Sequence, residues 1–281
     1  MKTPVVRAST ITLHYDSVEC VIKAMTAQLD EPLSLAAMAR IAFASPYHFN
    51  RTFRQVTGLP PFRFLYAMRL EAARHLLLHT EQKVVDICYE VGYNSLGTFT
   101  RRFTDLLGVS PQGLRRIARH AMERELNADN LPGAKITQTW SGTGLHGCVT
   151  VPVGFHGLVF IGLFRSPIPQ GLPAACSFTT EAGLYRMENL PEGTFHLFAV
   201  GLRFPITAAA YFDYSSALRG GGQIIRVSRG QVQGSTYVAL RSPSPFDPPI
   251  LLTLPVLIEH LQRKPDRLST FPVEVRLGES A

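Results

Sequence analysis

The 281-residue sequence predicts a two-domain α + β protein. The N-terminal half reads as an all-α tandem of helix-turn-helix units joined by a long helix, and the C-terminal half as a mainly antiparallel β-sandwich with a short helix. Three observations lead there. Residues 45–61 recur 50 positions later: Ser45, Phe49, Arg51, Phe53, Gly58 and Pro61 return as Ser95, Phe99, Arg101, Phe103, Gly108 and Pro111. From about Lys135 helical spacing gives way to short β-branched and aromatic runs between Gly and Pro. The length, with 46% hydrophobic and 17% charged residues, suits two packed domains rather than one small bundle or a disordered chain.

The expected domains are residues 1–128, with a core at 16–119, a linker at 129–134 containing Asp129 to Gly133, and a β-rich domain at 135–281. Residues 16–30 read as an amphipathic helix capped by Asp16 and stopped by Pro32. Ser34 caps a short helix through Ile41. After a turn at Phe43 and Ala44, Ser45 caps the next helix, with Pro46 at its first position, and Gly58 ends it. The segment from Pro61 to His79 carries apolar residues at helical spacing with no interior Gly or Pro. At 1.5 Å per residue this 19-residue strut spans roughly 28 Å, close to the ~34–36 Å of one B-DNA turn. A second unit follows: Val84–Val91, a turn at Gly92-Tyr93-Asn94, then Ser95–Leu107 ending at Gly108.

Within each copy the aromatics at i and i+4 face a core, so Phe49, Phe53, Phe99 and Phe103 are core residues. Arg51 and Arg101 lie between them and point outward. Such a helix can enter a DNA major groove. The charge agrees: the net is +7, and residues 1–120 hold 15 Lys/Arg against 9 Asp/Glu, a net of +6. Arg54, Arg63, Arg69 and Arg74 read as ordinary solvated helix charges.

The candidate strands are 144–151, 157–164, 177–180, 183–187, 194–201, 224–227, 235–240 and 273–277, with a short helix within 250–263. Gly220-Gly221-Gly222 precedes a strand rather than a helix and reads as a hairpin turn, not a phosphate loop. No catalytic constellation stands out: Glu181, Asp213 and Asp247 are isolated carboxylates. The nine histidines show no zinc-ligand spacing, so neither a metal nor a cofactor is expected. The four cysteines form no C-x-x-C pair and read as reduced, mostly buried thiols. The apolar run from Ile250 to Ile258 is too short to span a membrane and is broken by Pro255. With no secretory signal evident, a soluble, cytoplasmic, non-enzymatic protein is expected.

The run VGYNSLGTFTRRFTDLLGVSP with Arg115 and Arg116, and the run SPYHFNRTFRQVTGLPPFRFLYAMRLEAARHLL, resemble the DNA-binding domain of AraC/XylS-type transcriptional regulators over about Asp16 to Arg119. The resemblance implies a double-stranded DNA partner and assigns roles by position. Tyr47, Asn50 and Arg51 in the first reading helix, and Gly97, Thr98 and Arg101 in the second, fall where members of the family contact base edges. The chemistry suits five of the six: Arg bonds guanine bidentately, Asn bonds adenine, and Tyr or Thr touches a thymine methyl. Gly97 has nothing to read with. His48, Thr52, Thr100 and Arg102 are placed for phosphates.

In the C-terminal half, GLYRMENLPEGTFHLFAVG (183–201) resembles the strand-turn-strand of carboxypeptidase-regulatory-like (transthyretin-like) β-sandwiches. Pro191-Glu192-Gly193 makes a tight turn there, while Tyr185, Met187, Phe195, Leu197 and Ala199 alternate inward. A competing resemblance is to the GyrI-like effector domains attached to some regulators. By resemblance the chain is a sequence-specific regulator, more often an activator in this family. RNA polymerase, a small-molecule effector or a second protomer would meet the C-terminal half. The alternatives are an architectural protein with weak non-specific DNA contact, or a DNA-repair alkyl-transfer enzyme. The last needs a reactive cysteine in a Pro-Cys-His-Arg setting, which neither Cys148 nor Cys176 has.

Overall fold

The computed structural model describes residues 5–123, 144–204, 206, 211–255 and 257. By their contacts the residues divide into two compact units, 1–100 with 244–249, and 101–243 with 250–281. The expected linker at 129–134 and the strand at 273–277 lie outside the described residues.

Seven helices precede the first strand among the described residues: α1 (Val5–Ala27), α2 (Leu35–Ile41), α3 (Pro46–Thr57), α4 (Pro61–His79), α5 (Val84–Glu90), α6 (Leu96–Leu107) and α7 (Pro111–Glu123). Helix α1 starts well before Asp16, which therefore lies in its interior rather than capping it. No Gly or Pro occurs between Val5 and Asp16, so nothing in that stretch interrupts the helix. Its buried residues Val18, Val21, Ile22 and Met25 sit at i, i+3, i+4 and i+7.

The remaining boundaries follow local chemistry. Ser34 Oγ accepts from the Ala37 N–H at 3.1 Å and starts α2. Ser45 Oγ accepts from the His48 N–H at 3.4 Å, with Pro46 in the first turn of α3. Gly58 closes α3 at φ 76°, a left-handed position that glycine takes without a Cβ clash. The second copy repeats these devices: Ser95 Oγ accepts from the Thr98 N–H at 3.4 Å, and Gly108 follows α6 at φ 80°.

The aromatic repeat forms the helical core. Phe49, Phe53, Phe99 and Phe103 are all buried. Phe53 stands edge-on to Phe49 and to Phe64 of the strut, both at 5.5 Å. Tyr93 meets Phe99 at 5.3 Å. Two strut residues expected in solvent are instead buried: Arg69 at 7% exposure and Arg74 at 2%. Each has found polar partners that make burial tolerable. Arg69 donates to two backbone carbonyls, and Arg74 pairs with Glu71 at 3.5 Å. Arg54 and Arg63 are exposed as expected.

The strands are β1 (Gly144–Thr150), β2 (Gly157–Phe164), β3 (Ala175–Thr179), β4 (Gly183–Glu188), β5 (Gly193–Arg203), β6 (Leu218–Ser228), β7 (Gln231–Gln233) and β8 (Tyr237–Ala239). They form a three-stranded sheet, β4-β1-β8, and a five-stranded sheet, β3-β2-β5-β6-β7. Pairing is antiparallel except between β1 and β8, which run parallel. Reciprocal backbone bonds between Arg219 and Arg241, 2.8 and 3.0 Å, stitch the sheets together, so the whole curls around a common core. That core takes Leu145, Val149, Tyr185, Met187 and Val238 from one sheet and Val159, Ile161, Leu163, Phe195, Leu197, Ala199, Ile225 and Val227 from the other.

Inward alternation of Tyr185, Met187, Phe195, Leu197 and Ala199 thus holds. The turn between them does not form a hairpin: β4 pairs with β1, while β5 pairs with β2 and β6. Residues 189–192 therefore carry the chain from one sheet to the other. Gly220-Gly221-Gly222 is likewise not a turn but part of β6. The register shifts between Leu197 and Phe198, and Gly221 and Gly222 lie at φ 113° and 95°, so the triplet builds a β-bulge. Of the short helix expected within 250–263, Leu254, Pro255 and Leu257 are helical, and the rest lies outside the described residues. The thiols are all free; Cys88 and Cys176 are buried, Cys148 is half-buried and Cys20 is exposed. Among the described residues no helix is long and apolar enough to cross a membrane.

Candidate nucleic-acid interface

Helix α3 separates its residues sharply. Phe49 and Phe53 turn into the core, and the opposite side carries Tyr47, Asn50 and Arg51, all exposed. Tyr47 is 81% exposed although aromatic, an arrangement that burial energetics alone do not favour. These three line one shallow surface depression together with Arg54 and Gln55. The five residues follow i, i+3, i+4, i+7 and i+8, one continuous stripe of a helix. Arg54 and Gln55 were not among the residues expected to touch bases. The signal was available in that same spacing, which extends the stripe one turn beyond Arg51. The stripe presents a guanidinium pair, two amides and a phenol, all able to bond base edges or phosphate oxygens.

The flank of α3 differs from expectation. Thr52 is only 5% exposed and cannot offer its hydroxyl to a phosphate from that position. Its hydroxyl lies 3.5 Å from His48 Nδ1. Helix α1 packs on this side, with the His14 ring 5.7 Å from that of His48 in an edge arrangement. His48 itself stays exposed. An N-terminal helix longer than the sequence suggested thus covers one edge of the first reading helix.

Helix α6 buries Phe99 and Phe103 and exposes Gly97, Thr98, Arg101, Arg102 and Asp105, while Thr100 is half-buried. In the 50-residue register Thr98 matches His48, and Thr100 matches Asn50. Arg102 matches the buried Thr52 and is exposed. Gly97 stands where Tyr47 stands, and the space beside it is open: a Cβ there would meet nothing nearer than Ser95 Oγ at 3.9 Å. Asp105 replaces Gln55, exchanging an amide for a carboxylate, which can only accept hydrogen bonds. The second face is therefore smaller and less donor-rich than the first.

Known proteins match this part of the chain. The model of the family described as "Helix-turn-helix domain" covers residues 38–117. The HTH-type transcriptional regulator GlxA of Rhizobium meliloti is 34% identical over 96 residues, which is 34% of this chain and 30% of that protein. The bifunctional transcriptional activator/DNA repair enzyme AdaA of Bacillus subtilis is 30% identical over 99 residues, 35% of this chain and 46% of that protein. A crystal structure of a Chromobacterium violaceum transcriptional regulator, described with AraC-type DNA-binding domain-containing proteins, matches with 26% identity and a TM-score of 0.35, covering 36% of this chain and 91% of that one. The chain thus spans less than half the length of these two curated relatives. The matched segments account for about a third of this chain, and residues 38–117 match the helix-turn-helix domain model.

Proposed function

We propose that the chain is a sequence-specific, DNA-binding transcription regulator, more often an activator than a repressor, that reads two successive major-groove segments. The observation that carries this is the exposed stripe of Tyr47, Asn50, Arg51, Arg54 and Gln55 on a capped helix, with Arg101 repeated at the position of Arg51 on a second capped helix. Tyr47, Asn50 and Arg51 read one half-site; Thr98 and Arg101, with little help from Gly97, read the other. His48, Thr100 and Arg102 hold phosphates. The 19-residue strut between the two units, roughly 28 Å long, suits half-sites about one duplex turn apart. The positive excess over residues 1–120 and the regulator names of the relatives support the same reading.

The C-terminal half is proposed to follow the carboxypeptidase-regulatory-like β-sandwich pattern, supported by the inward alternation of Tyr185, Met187, Phe195, Leu197 and Ala199. Its role is to tune promoter output by meeting a small-molecule effector, a second protomer or RNA polymerase. The protein acts in the cytoplasm, as a regulator rather than an enzyme. The test is Arg51→Ala and Arg101→Ala on selected and random duplexes. Each substitution costs about 1–3 kcal/mol at the selected site and less on random DNA. Equal losses on both reduce these residues to phosphate contacts and leave the architectural reading in place.

A further inference from the structure

One polar side chain inside the helical half bonds both to the second helix-turn-helix copy and to the segment that leads into the first. Arg69 sits on the strut α4 and is buried. Its Nη1 donates to the Gly92 carbonyl oxygen at 2.9 Å, and its Nη2 donates to the Glu31 carbonyl oxygen at 2.9 Å. Gly92 belongs to the turn that aims α6, and Glu31 lies in the connection that leads from α1 into the first copy. Nε is buried without a hydrogen-bond partner, so the polar engagement of the guanidinium goes to these two carbonyls. The guanidinium also lies over the Tyr66 ring, 5.8 Å from its centroid, which restrains its plane.

The surroundings are closed around this group. Gly92 adopts φ 80°, and a Cβ there would collide with the Leu29 carbonyl oxygen and lie 2.7 Å from Arg69 Cζ. The first copy has no such arrangement: its matching residue, Ala42, has φ −79°. The residue matching Arg69 in the second copy, Arg119, is exposed. Among the described residues the device occurs at the junction of the two copies. A planar fork with two donors directed at two carbonyls fixes both distance and angle, which an ammonium cannot do.

Resting on the function proposed above, we infer that Arg69 is a positioning residue that sets the half-site spacing the protein accepts, by locking the turn before α6 to the entry of the first copy. It touches no DNA. Its loss loosens the second reader relative to the first and lowers the advantage of engaging both halves together.

The experiment uses the full chain, as wild type, R69Q and R69K, on duplexes carrying the selected bipartite site at its natural spacing and with one base pair added or removed. Single half-site duplexes and thermal melts run in parallel. Wild type prefers the natural spacing by about tenfold or more. Both variants keep single half-site affinity and lose most of that preference. Variants that retain the wild-type spacing preference, or that lose half-site affinity and spacing preference in parallel, overturn the inference. R69K keeps the charge and covers the case in which R69Q does not fold. If wild type selects no bipartite site, the DNA-reading function itself fails, an outcome distinct from either.

Discussion

Three glycines of the helical half separate backbone strain from steric exclusion. Gly58 and Gly92 both have left-handed φ, 76° and 80°, whereas Gly97 is an ordinary helical residue. An L residue in the left-handed region costs roughly 1–2 kcal/mol, and replacing glycine returns about 0.4–1 kcal/mol by restricting the unfolded chain. At Gly58 a Cβ meets nothing within 4 Å, so Gly58→Ala pays strain alone. The net loss is about 1 kcal/mol. At Gly92 the same Cβ runs into the Leu29 carbonyl oxygen and the buried Arg69 guanidinium. Neither is a loose end that swings aside, which adds overpacking of about 1–3 kcal/mol. Gly92→Ala therefore costs about 2–4 kcal/mol. Gly97→Ala, with its nearest neighbour 3.9 Å away, stabilises α6 by about 0.5–1 kcal/mol. Urea denaturation followed by helical circular dichroism gives the order Gly97→Ala, wild type, Gly58→Ala, Gly92→Ala. Equal losses at Gly58 and Gly92 would refute the steric argument and with it the tight seat assigned to Arg69.

Ser34→Ala, Ser45→Ala and Ser95→Ala each remove a helix cap worth about 0.5–2 kcal/mol. The 3.1 Å bond at Ser34 makes it the costliest of the three in urea midpoints, against 3.4 Å at Ser45 and Ser95. A larger loss at Ser45 or Ser95 would contradict that ranking. Burial pushes the Cys176 thiol up from 9.0 to about 12, and burial, with the neighbouring Tyr214, pushes Tyr211 up from 10.0 to about 12. Because the folded values are raised, their contribution to stability is full below about pH 9 and is lost as pH climbs toward 12. The urea midpoint of the β half should fall over that window, and a flat profile would count against the burial. Labelling at pH 8 with a thiol reagent modifies the exposed Cys20 first and spares the buried Cys88 and Cys176 until unfolding; uniform labelling would show that those two are open.

The helical half was legible because its signals are local. Ser45 and Ser95 as caps, Gly58 and Gly108 as stops, and the buried Phe pairs each act within one or two turns. What escaped depends on partners distant in sequence. Thr52 is buried on a helix that packs against α1, α2 and α4, and nothing near Thr52 announces that. Arg69 is buried because its fork reaches carbonyls 23 and 38 residues away. In the β half, alternation told which side chains point inward, since period two is a local property. Strand pairing is not, so the 189–192 connection was expected as a hairpin although it crosses between sheets. Gly220-Gly221-Gly222 carries the same glycine signal whether it turns or bulges, and only its register with Leu197 and Phe198 decides.

Whether two helices of one chain read two groove segments is decided by selecting duplexes from a random pool with the full chain and titrating the winner with salt. A bipartite site with halves about 10 bp apart is expected. The half read through Tyr47, Asn50, Arg51, Arg54 and Gln55 should be the more sharply defined, because the other reader offers Gly97 and Asp105 at the matching places. Binding without enrichment, with an affinity that simply collapses as salt rises, would mean phosphate contact alone and no reading of bases by either helix.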